Sequence, residues 1–206
     1  MRSSAYLRLV SLGNGAGPYV NQPSITKSTS PFLDKTMTEQ PDRNAAIQRV
    51  KDEIDAAFPD VNFTGQITSV DGRLDEELDE EQGLYEFLKQ RRWSEVDQAF
   101  IEGNPDGIEL LTDDAFAAFL PAWLSRALVS DFVRPSVVLT FSTDIERSPY
   151  WTETMGRRMG LLTVSQKATL LSFLTHCFDI ETLGLAKKDV RSAIAYVSRF
   201  DVQNSE

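Results

Sequence analysis

The stretch FAAFLPAWLSRAL, residues 116–128, constrains the fold more than any other part of this chain. Phe116, Phe119, Leu120, Trp123, Leu124, Ala127 and Leu128 fall at the i, i+3, i+4, i+7, i+8, i+11, i+12 spacing of one helix face. Pro121 sits inside that stripe, where a proline removes a backbone donor and costs about 3 kcal/mol. A new helix opening at Pro121 would need Leu120 as its N-cap, and leucine is among the poorest caps. The apolar phase also runs straight through. The stretch therefore predicts a single helix kinked at Pro121, central to the core because Phe116, Phe119 and Trp123 are so large. The functional alternative for the same residues is a bent aromatic groove for a partner or ligand, with Trp123 at the surface.

The rest of the chain is mostly helical in pattern. A helix following Asp42 as N-cap would bury Ile47, Val50, Ile54 and Phe58 and stop at Pro59. Residues 60–72 read as a loop with a short extended piece at 66–70. A second helix would bury Leu74, Leu78, Tyr85 and Leu88, although its acidic beginning opposes it. The like-charge pairs Asp75/Asp79, Glu76/Glu80 and Glu77/Glu81 each cost about 0.2–0.5 kcal/mol, so the helix is clearest from Gly83 onward.

Ser94 with Asp97 suggests a capped short helix carrying Val96 and Phe100 inward and ending at Gly103, followed by the turn cluster GNPDG. Thr112 caps the proline-containing helix, with Asp113 and Asp114 at its positive dipole end. The run VRPSVVLTFS, residues 133–142, reads as a buried strand. Residues 143–162 read as irregular, broken by Pro149, Gly156 and Gly160. Thr163 and Gln166 form a capping box for a helix packing Leu170, Leu171, Leu174, Cys177 and Phe178. A last helix over 186–199 uses Val190, Ile194 and Val197. The expected fold is mainly α: an irregular single helical domain around a Pro-kinked central helix, with room for one or two short strands.

Residues 1–36 are rich in Ser, Gly, Asn and Pro and show no sustained period. They read as a flexible tail, or as translated sequence upstream of a native start at Met37, with residues 37–206 as the globular domain. The segment AYLRLVSLG is interrupted by Arg8 and is too short for a signal-peptide core. One cysteine, Cys177, excludes an internal disulfide and suits a reducing cytoplasm.

A formal net charge of −10 argues against nucleic acid and against anionic membrane surfaces, since both need clustered Lys and Arg. It permits a basic protein partner. The densest acidic run, Asp75, Glu76, Glu77, Asp79, Glu80 and Glu81, is the candidate surface for one, with Trp123 as an aromatic anchor.

Local motifs for chemistry are weak. Asp60, Asn62, Thr64, Gly65 and Asp71 fall in the register of a calcium-binding EF-hand loop. However, Asp71 stands where a longer, bidentate Glu is needed, and Pro59 cuts the helix leading in. His176 and Cys177 are adjacent on a helix and point about 100° apart, which serves neither a zinc site nor a catalytic dyad. Cys177 reads as core and His176 as a boundary residue. No phosphate-binding or dinucleotide-binding glycine motif and no nucleophile elbow is present. GRRMG, residues 156–160, offers Arg157 and Arg158 as a small anion patch. No metal and no cofactor are expected.

The segment LTDDAFAAFLPAWL resembles the signature of an uncharacterised bacterial domain family, of the form L-(T/S)-x-x-x-F-x-(Y/F)-(Y/F)-L-P-A-(Y/F)-L. Leu111, Thr112, Phe116, Phe119, Leu120, Pro121, Ala122 and Leu124 match, whereas Ala118 and Trp123 depart from it. AAFPDV at 56–61, FLKQRRWSEV at 87–96 and LLTVSQKATLLSFLTH at 161–176 are similar to further pieces of the same family, in the same order. The resemblance implies relatives but no activity and no catalytic residues.

The function expected from these features is a non-enzymatic, cytoplasmic, acidic protein-binding module of the immunity or antitoxin kind. The alternative is an enzyme of unrecognised type using Asp113, Asp114 or the Arg157/Arg158 pair. A third reading is self-association through the aromatic stripe.

Overall fold

The computed structural model describes residues 39–69, 79–143, 149–180 and 185–200. The tail assigned to residues 1–36, together with Leu74, Leu78, Asp71 and the first part of the acidic run, lies outside them. The described residues form eight α-helices: α1 Glu39–Ala57, α2 Asp79–Leu88, α3 Gln98–Gly103, α4 Asp113–Val129, α5 Val133–Phe141, α6 Pro149–Leu161, α7 Val164–Asp179 and α8 Lys187–Ser198. Short 3-10 turns occupy Trp93–Glu95 and Gly107–Leu110. The fold is mainly α, as the periodicity predicts.

Helix α4 is the axis of the domain. It continues unbroken through Pro121 and touches α1, α3, α5, α6, α7 and both 3-10 turns. Its burial exceeds the expected stripe, because Ala115, Pro121 and Ala122 are enclosed along with Phe116, Phe119, Leu120, Trp123, Leu124, Ala127 and Leu128. A helix apolar nearly all round belongs inside the protein rather than on its surface. Phe63 meets Phe119 edge-on at 5.6 Å, and Phe141 meets Phe116 at 6.2 Å, so loop and helix aromatics from both sides close over α4.

The helix ends follow local chemistry. Thr112 accepts a hydrogen bond from the Ala115 amide at 3.3 Å, and Asp113 and Asp114 lie in the first turn, as expected. Thr163 and Gln166 close the capping box of α7 in both directions. Asp97 caps α3, whereas Ser94 turns instead to Asp60. Helix α1 begins at Glu39 rather than after Asp42, with Pro41 tolerated in its first turn, where the missing amide has no helical partner. The extended piece at 66–70 is reduced to a single antiparallel bridge between Thr68 and Leu111.

Two expectations are overturned. Residues 133–141 are helix α5, not a strand. Val133, Val137, Val138 and Phe141 are buried at i, i+4, i+5 and i+8, and Arg134 is buried with them. The guanidinium of Arg134 ion-pairs with Asp131 and donates to the carbonyls of Ala127 at 2.9 Å and Leu128 at 3.0 Å. These are carbonyls at the C-terminal end of α4, which otherwise lack helical partners. A strand would point alternate side chains to opposite faces and lose this cap. The second correction concerns 143–162: from Pro149 onward the segment is helix α6, running through Gly156 and Gly160, with Thr154, Met155, Arg158 and Met159 buried. Packing against α4 outweighs the glycine penalty of about 1 kcal/mol each.

Candidate functional site

A groove of about 310 Å³ lies where α2 meets the turn joining α3 to α4. It is lined by Glu80, Asp106 and Glu109, with Leu84, Pro105 and Leu110 as apolar wall, and no lysine or arginine lines it among the described residues. Its bed is set by Gly107. A Cβ there would come within 3.0 Å of the Leu84 side chain, which would have to give way by a few tenths of an ångström, while the Trp123 ring at 3.5 Å would stay at ordinary contact, so the turn rests closely on the core. The turn is held by its own backbone: the Gly107 amide donates to the Asn104 carbonyl at 3.1 Å and the Glu109 amide to the Asp106 carbonyl at 2.9 Å. Asn104 secures the end of α3 by donating from its side chain to the Phe100 carbonyl at 2.9 Å.

The three carboxylates differ. Glu109 accepts from the Thr140 hydroxyl at 3.2 Å. Glu80 and Asp106 are exposed and carry no ion-pair partner among the described residues. Glu80 and Asp106 therefore present negative charge beside the apolar wall. Such a surface accepts the aliphatic stem of a lysine or arginine along its side and the cationic head at its carboxylates.

The expected partner-binding residues are distributed unevenly. Asp75, Glu76 and Glu77 lie outside the described residues. Asp79 opens α2, Glu80 reaches the groove, and Glu81 accepts from the Ser69 hydroxyl at 3.0 Å. Trp123 is fully buried beneath the turn, which corrects its placement on a partner surface. Its large apolar ring fills the core and leaves no bent aromatic groove and no stripe for self-association. In the sequence Asp106 belongs only to the turn cluster GNPDG, and Glu109 carries no local signal at all. Their proximity to Glu80 is a tertiary contact without a local signal.

The alternative catalytic groups form an internal clamp. Asp113 takes hydrogen bonds from Arg157 Nε at 2.8 Å and Arg158 Nε at 3.2 Å. Arg158 is buried, donates to the backbone carbonyls of Glu109 and Leu111, and stacks 4.7 Å from the Phe116 ring. Burial pushes its pKa down, and the Asp113 carboxylate opposes that shift. The Arg157 pKa is raised, foremost by its hydrogen bond to Asp113. The pair thus pins α6 to the start of α4 and is not a free anion patch.

The remaining motifs also resolve. Asp60 accepts from the Ser94 hydroxyl at 2.7 Å and Asn62 from Arg92 Nε at 3.3 Å, so both are turned toward the segment after α2. No group of three or more His, Cys, Asp or Glu residues that could hold a metal occurs among the described residues. Cys177 is buried, and burial pushes its thiol up to about 12. No described helix is long and apolar enough to cross a membrane. No protein-family model, curated protein or solved structure matches the chain.

Proposed function

We propose that this chain is a non-enzymatic, cytoplasmic, acidic protein-binding module of the immunity or antitoxin kind, which receives a basic segment of a protein partner in the groove of Glu80, Asp106 and Glu109. The observation that carries the reading is this groove, walled by Leu84, Pro105 and Leu110 and edged by carboxylates, with no basic residue in its lining among the described residues. The chain's net charge of −10 supports it, because a long-range negative field accelerates encounter with a cationic partner. The acidic run leads along the sequence directly to Glu80.

The enzyme alternative has less support, since Arg157, Arg158 and Asp113 are engaged with one another. Kinship with the uncharacterised bacterial family belongs to the same proposal. Leu111, Phe116, Phe119, Leu120, Pro121 and Leu124 are all buried here, so the shared signature would mark a common core rather than a common binding surface.

The test is capture from the native host by wild type and by the double variant Glu80→Lys/Asp106→Lys, backed by titration with a synthetic lysine- and arginine-rich peptide. The expected result is a basic partner retained by wild type and lost by the variant, with an association rate that falls as salt shortens the screening length toward about 8 Å. Capture and peptide binding indifferent to both substitutions and to salt would sink the proposal.

A further inference from the structure

We infer a second site, independent of the acidic groove: a phosphate-binding groove between α1 and α7, recognising a phosphate group through Arg43, Arg49, Ser172 and His176. The groove has a volume of about 520 Å³. Arg43 and Arg49 line it from α1, with small Ala46 between them leaving the space open. Ser172, Thr175, His176 and Asp179 line it from α7, at the i, i+3, i+4, i+7 spacing of one face.

His176 lines the groove. The residue is 5% exposed, and its Nε2 is buried without a hydrogen-bond partner among the described residues. A buried polar nitrogen left unpaired is costly; such groups are normally satisfied by a protein group or an ordered water, and here a ligand in the groove would supply the partner. The charge around it is unusual for so acidic a chain. The imidazole pKa is lowered by burial, then by the guanidiniums of Arg134 and Arg43, with Arg49 adding to them and Asp179 opposing. Three guanidiniums thus bear on this nitrogen against one carboxylate. Arg134 is committed to Asp131 and to two α4 carbonyls, and Arg49 pairs loosely with Glu53 at 3.8 Å. Arg43 has no ion-pair partner among the described residues.

The donor set selects the ligand class. The Thr175 hydroxyl already donates to the Leu171 carbonyl at 2.8 Å, leaving the two arginines, the Ser172 hydroxyl and a neutral imidazole N–H, arranged on both sides. Donors on two helices suit the three acceptor oxygens of a phosphate group better than the single edge of a carboxylate.

His176 is the chain's only histidine, so its imidazole gives one unambiguous NMR signal. Titration at pH 7.5 with inorganic phosphate, and separately with glycerol phosphate, should shift that signal saturably. Chloride at equal ionic strength should not. Tighter binding of glycerol phosphate would identify an organic phosphomonoester as the natural ligand, and equal affinity would identify free phosphate; both outcomes support the site. Arg43→Gln and Arg49→Gln, both at exposed positions that leave the core untouched, should each weaken binding about tenfold. Asp179→Asn should tighten it. An imidazole signal that does not saturate with either phosphate, responds equally to chloride, or is indifferent to the arginine substitutions overturns the inference.

Discussion

The Nε of Arg134 donates to the carbonyl of Ala127 at 2.9 Å, and this bond ties the first turn of α5 to the last turn of α4. With the neighbouring bond to Leu128, it places a fully buried guanidinium at the negative end of the central helix. Replacement by leucine would roughly keep the volume but orphan two buried carbonyls, while the exposed Asp131 would stay hydrated. Arg134→Leu should cost about 2–5 kcal/mol in chemical denaturation, from the two unpaired carbonyls. A loss below about 1 kcal/mol would show that water reaches those carbonyls.

Trp123 and Gly107 form a second coupled pair, the indole lying beneath the turn that carries the acidic groove. Trp123→Ala should lower the unfolding free energy by about 3–5 kcal/mol. Gly107→Ala should cost about 1–3 kcal/mol by overpacking against Leu84, beside the Trp123 ring. Because both faults meet at the same contact, the double variant should lose less than the sum of the two singles. Strict additivity would show that the turn does not rest on the indole.

Gly156 and Gly160 present the opposite case. An added Cβ meets nothing within 4 Å at either position, and both residues lie inside α6. Gly156→Ala and Gly160→Ala should each raise stability by about 0.5–1 kcal/mol, measured as an increased denaturation midpoint. A decrease would mean that α6 needs its glycines for a conformation other than helix.

The lowered pKa of His176 makes a signed prediction. Burial, followed by Arg134 and Arg43, holds it below the ordinary value of 6.5. The unfolded chain therefore takes up this proton before the folded one does. The stability it contributes is present above pH 6.5 and is lost as pH falls through the lower folded value. Between neutral pH and pH 5, wild type should lose more stability than His176→Gln does. Parallel stability profiles would contradict the shift.

Cys177 should be chemically silent in the folded protein. Its thiol is buried and pushed up to about 12, so the thiolate that reacts with disulfide reagents is scarce at pH 8. The native protein should label only at its unfolding rate and the denatured protein at once. Rapid labelling of the native state would show that α7 opens around this residue.

Much of the helical plan was legible because it is written locally. Thr112 with Asp113, the Thr163/Gln166 box, and the stop at Pro59 act within one turn of chain, the first two opening a helix and the last closing one as expected. The α5 segment reads as a strand because its β-branched residues favour strands, although Val133, Val137, Val138 and Phe141 carry a helical period. In α6 the glycines suppressed the signal carried by Met155 and Met159.

By itself the sequence determined a mainly helical chain, the central helix through Pro121, its N-cap and its acidic character, since periodicity, capping and charge are properties of neighbours along the chain. What surrounds that helix, and what its polar residues face, follows from packing between distant parts of the chain. That packing enclosed Trp123, clamped Arg157 and Arg158 onto Asp113, set Arg134 under the end of α4, and brought Glu80 beside Asp106 and Glu109. These outcomes depend on contacts between residues far apart in the chain, where burying apolar surface selects the arrangement and the charged groups must find partners within it.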